Sequence, residues 1–129
     1  MRQLFAGLIV GASFAALALP ALAATETVKG QLIDASCYKD NKANIYADHE
    51  MPNGEPVAKG CAAMCAKAGQ PVALLTPAGK VYTVTGAFAA DNNAKLVPYL
   101  TQTVTLTGEV TETAGTATIA ATDLKPVSK

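Results

Sequence analysis

The chain has 129 residues, and its ten basic side chains balance its ten acidic ones. A length of this order is typical of one domain. Balanced charge without a basic run argues against an electrostatic grip on nucleic acid and against a charge-driven role at a membrane surface. No nucleic-acid partner is therefore expected.

The first 23 residues have the pattern of an export signal. Arg2 supplies a positive start, Leu4 to Leu19 form an apolar stretch, and Ala21-Leu22-Ala23 matches the small-x-small motif of signal peptidase. The apolar stretch is short for a membrane span, and polar sequence follows directly. We therefore expect cleavage before Ala24, no membrane anchor afterwards, and a periplasmic or secreted protein with one domain over residues 24–129.

Removing the signal takes away Arg2, which is the only arginine of the chain. The remaining nine lysines face ten acidic residues, for a net charge of −1. Five aromatic residues remain, namely Tyr38, Tyr46, Tyr82, Phe88 and Tyr99. A small core with few large side chains is stabilised by a disulfide or a metal ion.

The first half of the mature chain predicts one strand, a long loop and a helix. Residues 26–34 form the strand, in which Gly30 is suited to a bulge or bend. Residues 35–57 mix charged residues with Asn, Gly and Pro, and loops of this length in compact domains tend to be functional. Residues 60–68 are good helix formers and end at Gly69.

The second half has the pattern of β-strands. Residues 71–76 and 81–86 flank a turn with Pro and Gly in favoured positions, and predict a hairpin. Residues 91–100 begin with Asp and Asn suited to capping and predict a short helix. Apolar side chains then alternate with polar ones from Val104 to Val110, and a last strand follows the turn at Ala114-Gly115.

Five strands with a helix between the third and the fourth is the element order of an OB-fold, a five-stranded Greek-key barrel. We therefore predict a single all-β, OB-like barrel. Residues 35–70 form an insertion between strands 1 and 2 that carries the short cysteine-bearing helix and caps one end of the barrel. A five- or six-stranded sandwich is the alternative architecture.

All cysteine and histidine residues of the protein fall within 29 consecutive positions of this insertion. Their spacing is Cys37-x11-His49-x11-Cys61-x3-Cys65. Three thiols cannot all pair within one chain, so at least one is left for a metal, a partner or redox chemistry.

The helix spacing favours a metal site. Cys61 and Cys65 are four residues apart, so their side chains lie on one helix face. Cys61 is also in the first helical turn, where backbone N–H groups favour a thiolate. Thiolates with an imidazole suit zinc or copper and suit calcium badly. We predict that Cys37, at the end of the first strand, and His49 complete a Cys₃His set, with Met51 and Met64 as soft extra ligands for Cu(I).

A disulfide between Cys37 and either Cys61 or Cys65 is the main structural alternative, since the predicted compartment is oxidising. His49 by itself is as well suited to a solvated loop position as to a ligand, and the helical position of Met64 favours the core over a ligand role. The neighbouring acids do not follow a calcium-loop spacing and are expected to be solvated: Asp34, Asp40, Asp48, Glu50 and Glu55.

Catalytic motifs give less support. The sequence has no G-x-S-x-G, no phosphate loop and no second histidine. A nucleophile-base pair of Cys61 and His49 lacks an orienting third group. A thiol-disulfide couple of Cys61 and Cys65 lacks the βαβ context of a thioredoxin-like domain.

Several stretches resemble a family of small exported OB-like bacterial proteins without an established activity. They are Gly30 to Asp34, Cys37-Tyr38, His49, Cys61 to Cys65, Gly69 to Leu75 and Val104 to Val110. The resemblance implies an exported OB-type domain with a cysteine/histidine cluster and names no ligand. The C-x3-C motif with a distant histidine is also similar to the copper-site pattern of Sco-type copper-delivery proteins, whose thioredoxin-like body is missing here.

The leading hypothesis from the sequence is a periplasmic protein that binds copper or zinc through Cys37, His49, Cys61 and Cys65. A first alternative is a disulfide-stabilised OB-type module that binds a small ligand or a protein partner. A second is a thiol-disulfide redox protein that uses the two helix cysteines.

Overall fold

The computed structural model describes residues 23–51 and 59–127, so the predicted signal peptide lies outside the described residues except for residue 23. Within them, five strands form a closed barrel. The strands are Ala24–Asp34 (β1), Val72–Leu75 (β2), Val81–Thr85 (β3), Thr103–Thr113 (β4) and Thr116–Pro126 (β5). The helical segments are Ala35–Asp40 (α1), Cys61–Lys67 (α2) and Ala90–Asn93 (α3), with 3₁₀ turns at Gly86–Phe88 and Val97–Tyr99.

The strands follow the order β1-β2-β3-β5-β4 around the barrel, and β1 pairs with both β2 and β4. Every neighbouring pair is antiparallel except β3 and β5, which are parallel. The predicted all-β, OB-like barrel is therefore confirmed. The alternative of a two-sheet sandwich is wrong, because a single sheet closes on itself.

Strand alternation fills the barrel as the sequence predicts. In β4, Val104 and Leu106 are fully buried and Val110 nearly so, while the threonines between them are more exposed. In β5, Ile119 is fully buried. Because successive side chains of a strand point to opposite faces, one face of each strand lines the core and the other meets solvent. The predicted hairpin is also present, with Leu74 opposite Tyr82.

Gly30 does not form the predicted bulge. The register of β1 against β4 runs from Ala24 to Gln31 without a shift. A Cβ atom on Gly30 would lie 2.5 Å from the carbonyl oxygen of Leu75. Glycine is thus required there because the β2 backbone approaches closely. The register shift of this sheet lies instead at Thr107/Gly108, where β4 pairs with β5.

The connection from β1 to β2 carries α1 and α2, which confirms the predicted helix within the insertion. Asp34 at the end of β1 is opposite Val72 at the start of β2, so the insertion leaves and re-enters the barrel at one end. Ala66 of α2 belongs to the hydrophobic core. Helix α1 is an addition to the prediction, because six residues are too few to give a periodic pattern. Among the described residues, no helix is both long and apolar enough to cross a membrane.

Candidate metal centre

Helix α1 places the first cysteine. Asp34, the last residue of β1, is its N-cap, and Oδ1 accepts hydrogen bonds from the backbone N–H groups of Ser36 (2.9 Å) and Cys37 (3.1 Å). A carboxylate at this position satisfies N–H groups that have no partner within the helix. Cys37 is therefore fixed directly beyond the end of β1, as its position in the sequence predicts.

Helix α2 places the other two cysteines. It begins after Gly60, which has a left-handed backbone with φ of 64°. Cys61 and Cys65 lie on one face, with their Sγ atoms 3.6 Å apart. That separation agrees with the expectation from i, i+4 spacing on a helix.

Two features fix the orientation of α2. Ala62 and Ala66 are buried, so small side chains let the helix pack closely on the barrel. At its other end, the buried Asn93 donates from Nδ2 to the carbonyl oxygens of Ala66 and Gln70, both at 2.9 Å. The capping role predicted for this Asn-rich stretch thus serves the end of α2 and not the start of its own helix.

His49 is held between α1 and α2 by its neighbours in the loop. On one side, the buried Asn44 accepts a hydrogen bond from the N–H of Glu50 (2.8 Å) and donates to the carbonyl of Cys37 (3.4 Å). On the other side, Asp48 Oδ1 accepts from the N–H of Gly60 (2.7 Å). His49 is only 1% exposed, so the alternative of a solvated loop residue is wrong.

The donor atoms form two overlapping groups. We name Cys37, His49 and Cys61 the outer triad, and Asp34, Cys37 and Cys65 the inner triad. Within each triad, one ligand atom per residue lies within 4.8 Å of the others. Cys37 belongs to both, and the 3.6 Å contact of Cys61 with Cys65 joins them again. The four residues predicted from the sequence therefore lie close together.

The cluster contains buried polar atoms without protein partners. Both ring nitrogens of His49 and Oδ2 of Asp34 are buried and make no hydrogen bond within the described residues. Leaving such a group unpaired costs about 1–3 kcal/mol. A cation in the outer triad would bond to the imidazole, and one in the inner triad to the carboxylate, and each would offset part of this cost, so the residues fit a metal ion.

The charged groups around the thiols also favour a bound metal ion. Burial is the largest cause that raises the pKa of Cys37, followed by the charges of Asp34, Cys61 and Cys65. Burial, then the contacts of Cys65 with Cys61 and Asp34, raises the pKa of Cys65 to about 11. Apart from burial, each cause is a neighbouring acidic group. A cation among them would therefore favour the thiolates.

The outer triad opens onto a cleft of about 440 Å³. All three of its residues line the cleft, together with Asp40, Asn41, Asn44, Glu50 and Met51. Met51 is thus available beside the outer triad as a soft donor. Met64 is 63% exposed on α2, so the expectation that it belongs to the core is wrong.

The disulfide alternative is not what the structure contains. Cys37, Cys61 and Cys65 all carry free thiols. The 3.6 Å between Cys61 Sγ and Cys65 Sγ is far longer than an S–S bond of about 2.05 Å.

Sequence reasoning missed Asp34, which was expected to be solvated. It is 1% exposed and faces two of the sulfurs. The available signal was its place three residues before Cys37 at the end of a strand, where an aspartate is typical of a helix N-cap. A prediction of the short α1 with Asp34 as its N-cap would have placed the Asp34 carboxylate beside the cysteines.

No protein-family model, curated protein or solved structure matches the chain.

Proposed function

We propose that this is an exported, periplasmic metal-binding protein that holds copper or zinc with Cys37, His49, Cys61 and Cys65. The observation that carries the proposal is the burial of His49 beside the sulfurs of Cys37 and Cys61, where neither ring nitrogen has a hydrogen-bond partner among residues 23–51 and 59–127. A histidine buried for structural reasons normally has a hydrogen-bond partner. A metal bond would give one of the two ring nitrogens of His49 the partner that it lacks among the described residues.

The chemistry of the donors restricts the metal. Thiolate sulfur and imidazole nitrogen are ligands for zinc and copper, whereas calcium and magnesium take oxygen ligands. The cleft beside the outer triad gives a bound ion a route for entry and exit. We propose binding and not catalysis, because no third group in the described part of the chain hydrogen-bonds the His49 imidazole, as orienting it for a nucleophile-base pair with Cys61 requires.

The test is metal binding by exported, reduced protein. We expect native mass spectrometry with elemental analysis to find zinc or copper bound, and thiol counting to find three thiols after the metal is removed. His49→Ala should weaken the affinity for Zn²⁺ at least tenfold, since it removes a ligand. Met64→Ala is the matched control on α2, because its exposed side chain is in neither triad. Reduced protein that binds neither metal would contradict the proposal.

One observation favours a second candidate function. Cys61 and Cys65 are adjacent on α2, so a modest shift of their 3.6 Å separation would allow a thiol-disulfide couple. This alternative gives no role to the buried His49. A redox titration distinguishes the two: a couple that cycles equally well in His49→Ala and in the native protein would favour the redox function.

A further inference from the structure

We infer that the site holds two zinc ions that share the thiolate of Cys37, one in the outer triad and one in the inner triad with Asp34 as a ligand. The inference rests on the proposed function and adds a second metal position to it. Each cysteine thiol gives up its proton on binding, so loading both positions releases three protons, and no oxidation or reduction takes place.

The arrangement of donors is the first argument. Four ligands around one zinc ion, with Zn–S bonds of about 2.3 Å, lie roughly 4 Å from one another. Among the described residues the donors divide into two groups of three with all separations within 4.8 Å, and no group of four is found. Each group offers three protein ligands, which leaves a fourth zinc position for water or another ligand.

The second argument is the state of the Asp34 carboxylate. Oδ1 alone caps α1, so capping does not account for a buried Oδ2 without a partner within the described residues. That group lies against the sulfurs of Cys37 and Cys65. Zinc accepts carboxylate oxygen together with thiolate sulfur, whereas Cu(I) prefers soft ligands alone. The inner triad therefore selects zinc.

The third argument is charge. Three thiolates and the carboxylate of Asp34 carry four negative charges, and the imidazole of His49 is neutral when it binds a metal. Two Zn²⁺ ions balance this charge, whereas one would leave two negative charges in a cluster of half-buried cysteines and a buried Asp34. Uncompensated charge away from water is costly.

The sharpest variant is Asp34→Asn. Asparagine keeps an Oδ1 for the N-cap of α1 and replaces the second carboxylate oxygen with an amide that cannot bind zinc. Asp40→Asn is the matched control, because Asp40 is the last residue of the helix that Asp34 caps and lines the cleft of the outer triad, but belongs to neither triad. Asp34→Ser, which also provides a capping oxygen, replaces Asp34→Asn if circular dichroism finds that variant unfolded.

The experiment is a titration of metal-free, reduced protein with Zn²⁺, read by native mass spectrometry and elemental analysis. We expect two zinc ions per chain in the native protein and in Asp40→Asn, and one in Asp34→Asn. Cys65→Ser should also retain one ion in the outer triad, and His49→Ala one in the inner triad. Cys37→Ser should weaken both.

Two results would overturn the inference. Native protein that binds one zinc ion refutes the second position but leaves the proposed function intact. Two ions in folded Asp34→Asn refute the role of Asp34. Native protein that binds no zinc and no copper would instead refute the proposed function itself, so the two failures are distinguishable.

Discussion

The barrel and the insertion bury different kinds of side chain. The barrel core consists mainly of aliphatic residues such as Leu32, Leu74 and Leu106, which need no partner other than close packing. The insertion and the adjoining end of β1 bury Asp34, Asn44 and His49 near three sulfurs. Apolar burial stabilises a fold by itself, whereas buried polar groups stabilise it only when their bonds are satisfied.

This difference separates the stability of the fold from the stability of the site. We expect the barrel to form without a metal, because its strands close on one another and its core is apolar. Asn44 of the insertion has hydrogen-bond partners, whereas the ring nitrogens of His49 and Oδ2 of Asp34 have none in the part of the chain that the structure describes. We therefore expect substitutions in the barrel to change folding, and substitutions in the insertion to change mainly the metal-dependent part of stability.

The largest expected effect is in the barrel. Leu106→Ala removes a fully buried side chain and should lower the free energy of unfolding by about 2–5 kcal/mol. Urea unfolding with and without Zn²⁺ measures it. The loss should be equal in both conditions, because Leu106 is not part of the cluster. If Zn²⁺ raised the free energy of unfolding by different amounts in Leu106→Ala and in the native protein, the stability of the barrel and that of the site would not be independent.

A smaller effect is expected for the residue that holds the His49 loop. Asn44→Ala leaves the N–H of Glu50 unpaired and should lower the free energy of unfolding by about 1–3 kcal/mol. It should also weaken Zn²⁺ binding about tenfold, since a ligand loses its support. Chelator competition measures the affinity. Gln102→Ala, which removes an exposed side-chain hydrogen bond to Pro98, is the control and should leave the affinity unchanged.

The pH dependence of stability gives a further test of the site, through the thiol of Cys65. Burial and the contacts with Cys61 and Asp34 raise the pKa of Cys65 from 9.0 to about 11. The folded, metal-free protein therefore keeps this proton more tightly than the unfolded chain. The stabilising contribution is complete below pH 9 and is lost as pH rises towards 11.

Unfolding of metal-free protein at several pH values from 8 to 11, compared with Cys65→Ala, measures this contribution. As the pH rises, the free energy of unfolding of the native protein should fall relative to that of Cys65→Ala. With Zn²⁺ bound the trend should reverse up to about pH 9 and level off above it, because the sulfur is then a thiolate in the folded protein while the unfolded chain, with a Cys65 pKa of 9.0, still takes up a proton. A difference that stays constant over this range in metal-free protein would contradict the assignment.

The smallest effect is expected at the surface of α2. Met64 is 63% exposed and belongs to neither triad. Met64→Gln should change the free energy of unfolding by no more than about 0.5 kcal/mol. Its affinity for Cu(I), measured by competition with a chromogenic chelator, should equal that of the native protein. A clear loss would restore Met64 as a soft ligand.

The sequence by itself determined the barrel. Strand periodicity is a local property, so the alternation from Val104 to Val110 and the turn between residues 76 and 81 predicted strands and their buried faces. The i, i+4 spacing likewise predicted one face for Cys61 and Cys65, because helix geometry relates neighbouring turns directly.

Only the tertiary structure decided the composition of the site. The burial of His49 depends on hydrogen bonds of its loop to α1 and α2, which no local pattern encodes. Asp34 lies beside the cysteines because α1 turns Cys37 back towards the end of β1. This helix has six residues and is too short to give a periodic signal in the sequence. Contacts between segments far apart in the chain are set by how the elements pack, and packing is a property of the whole fold.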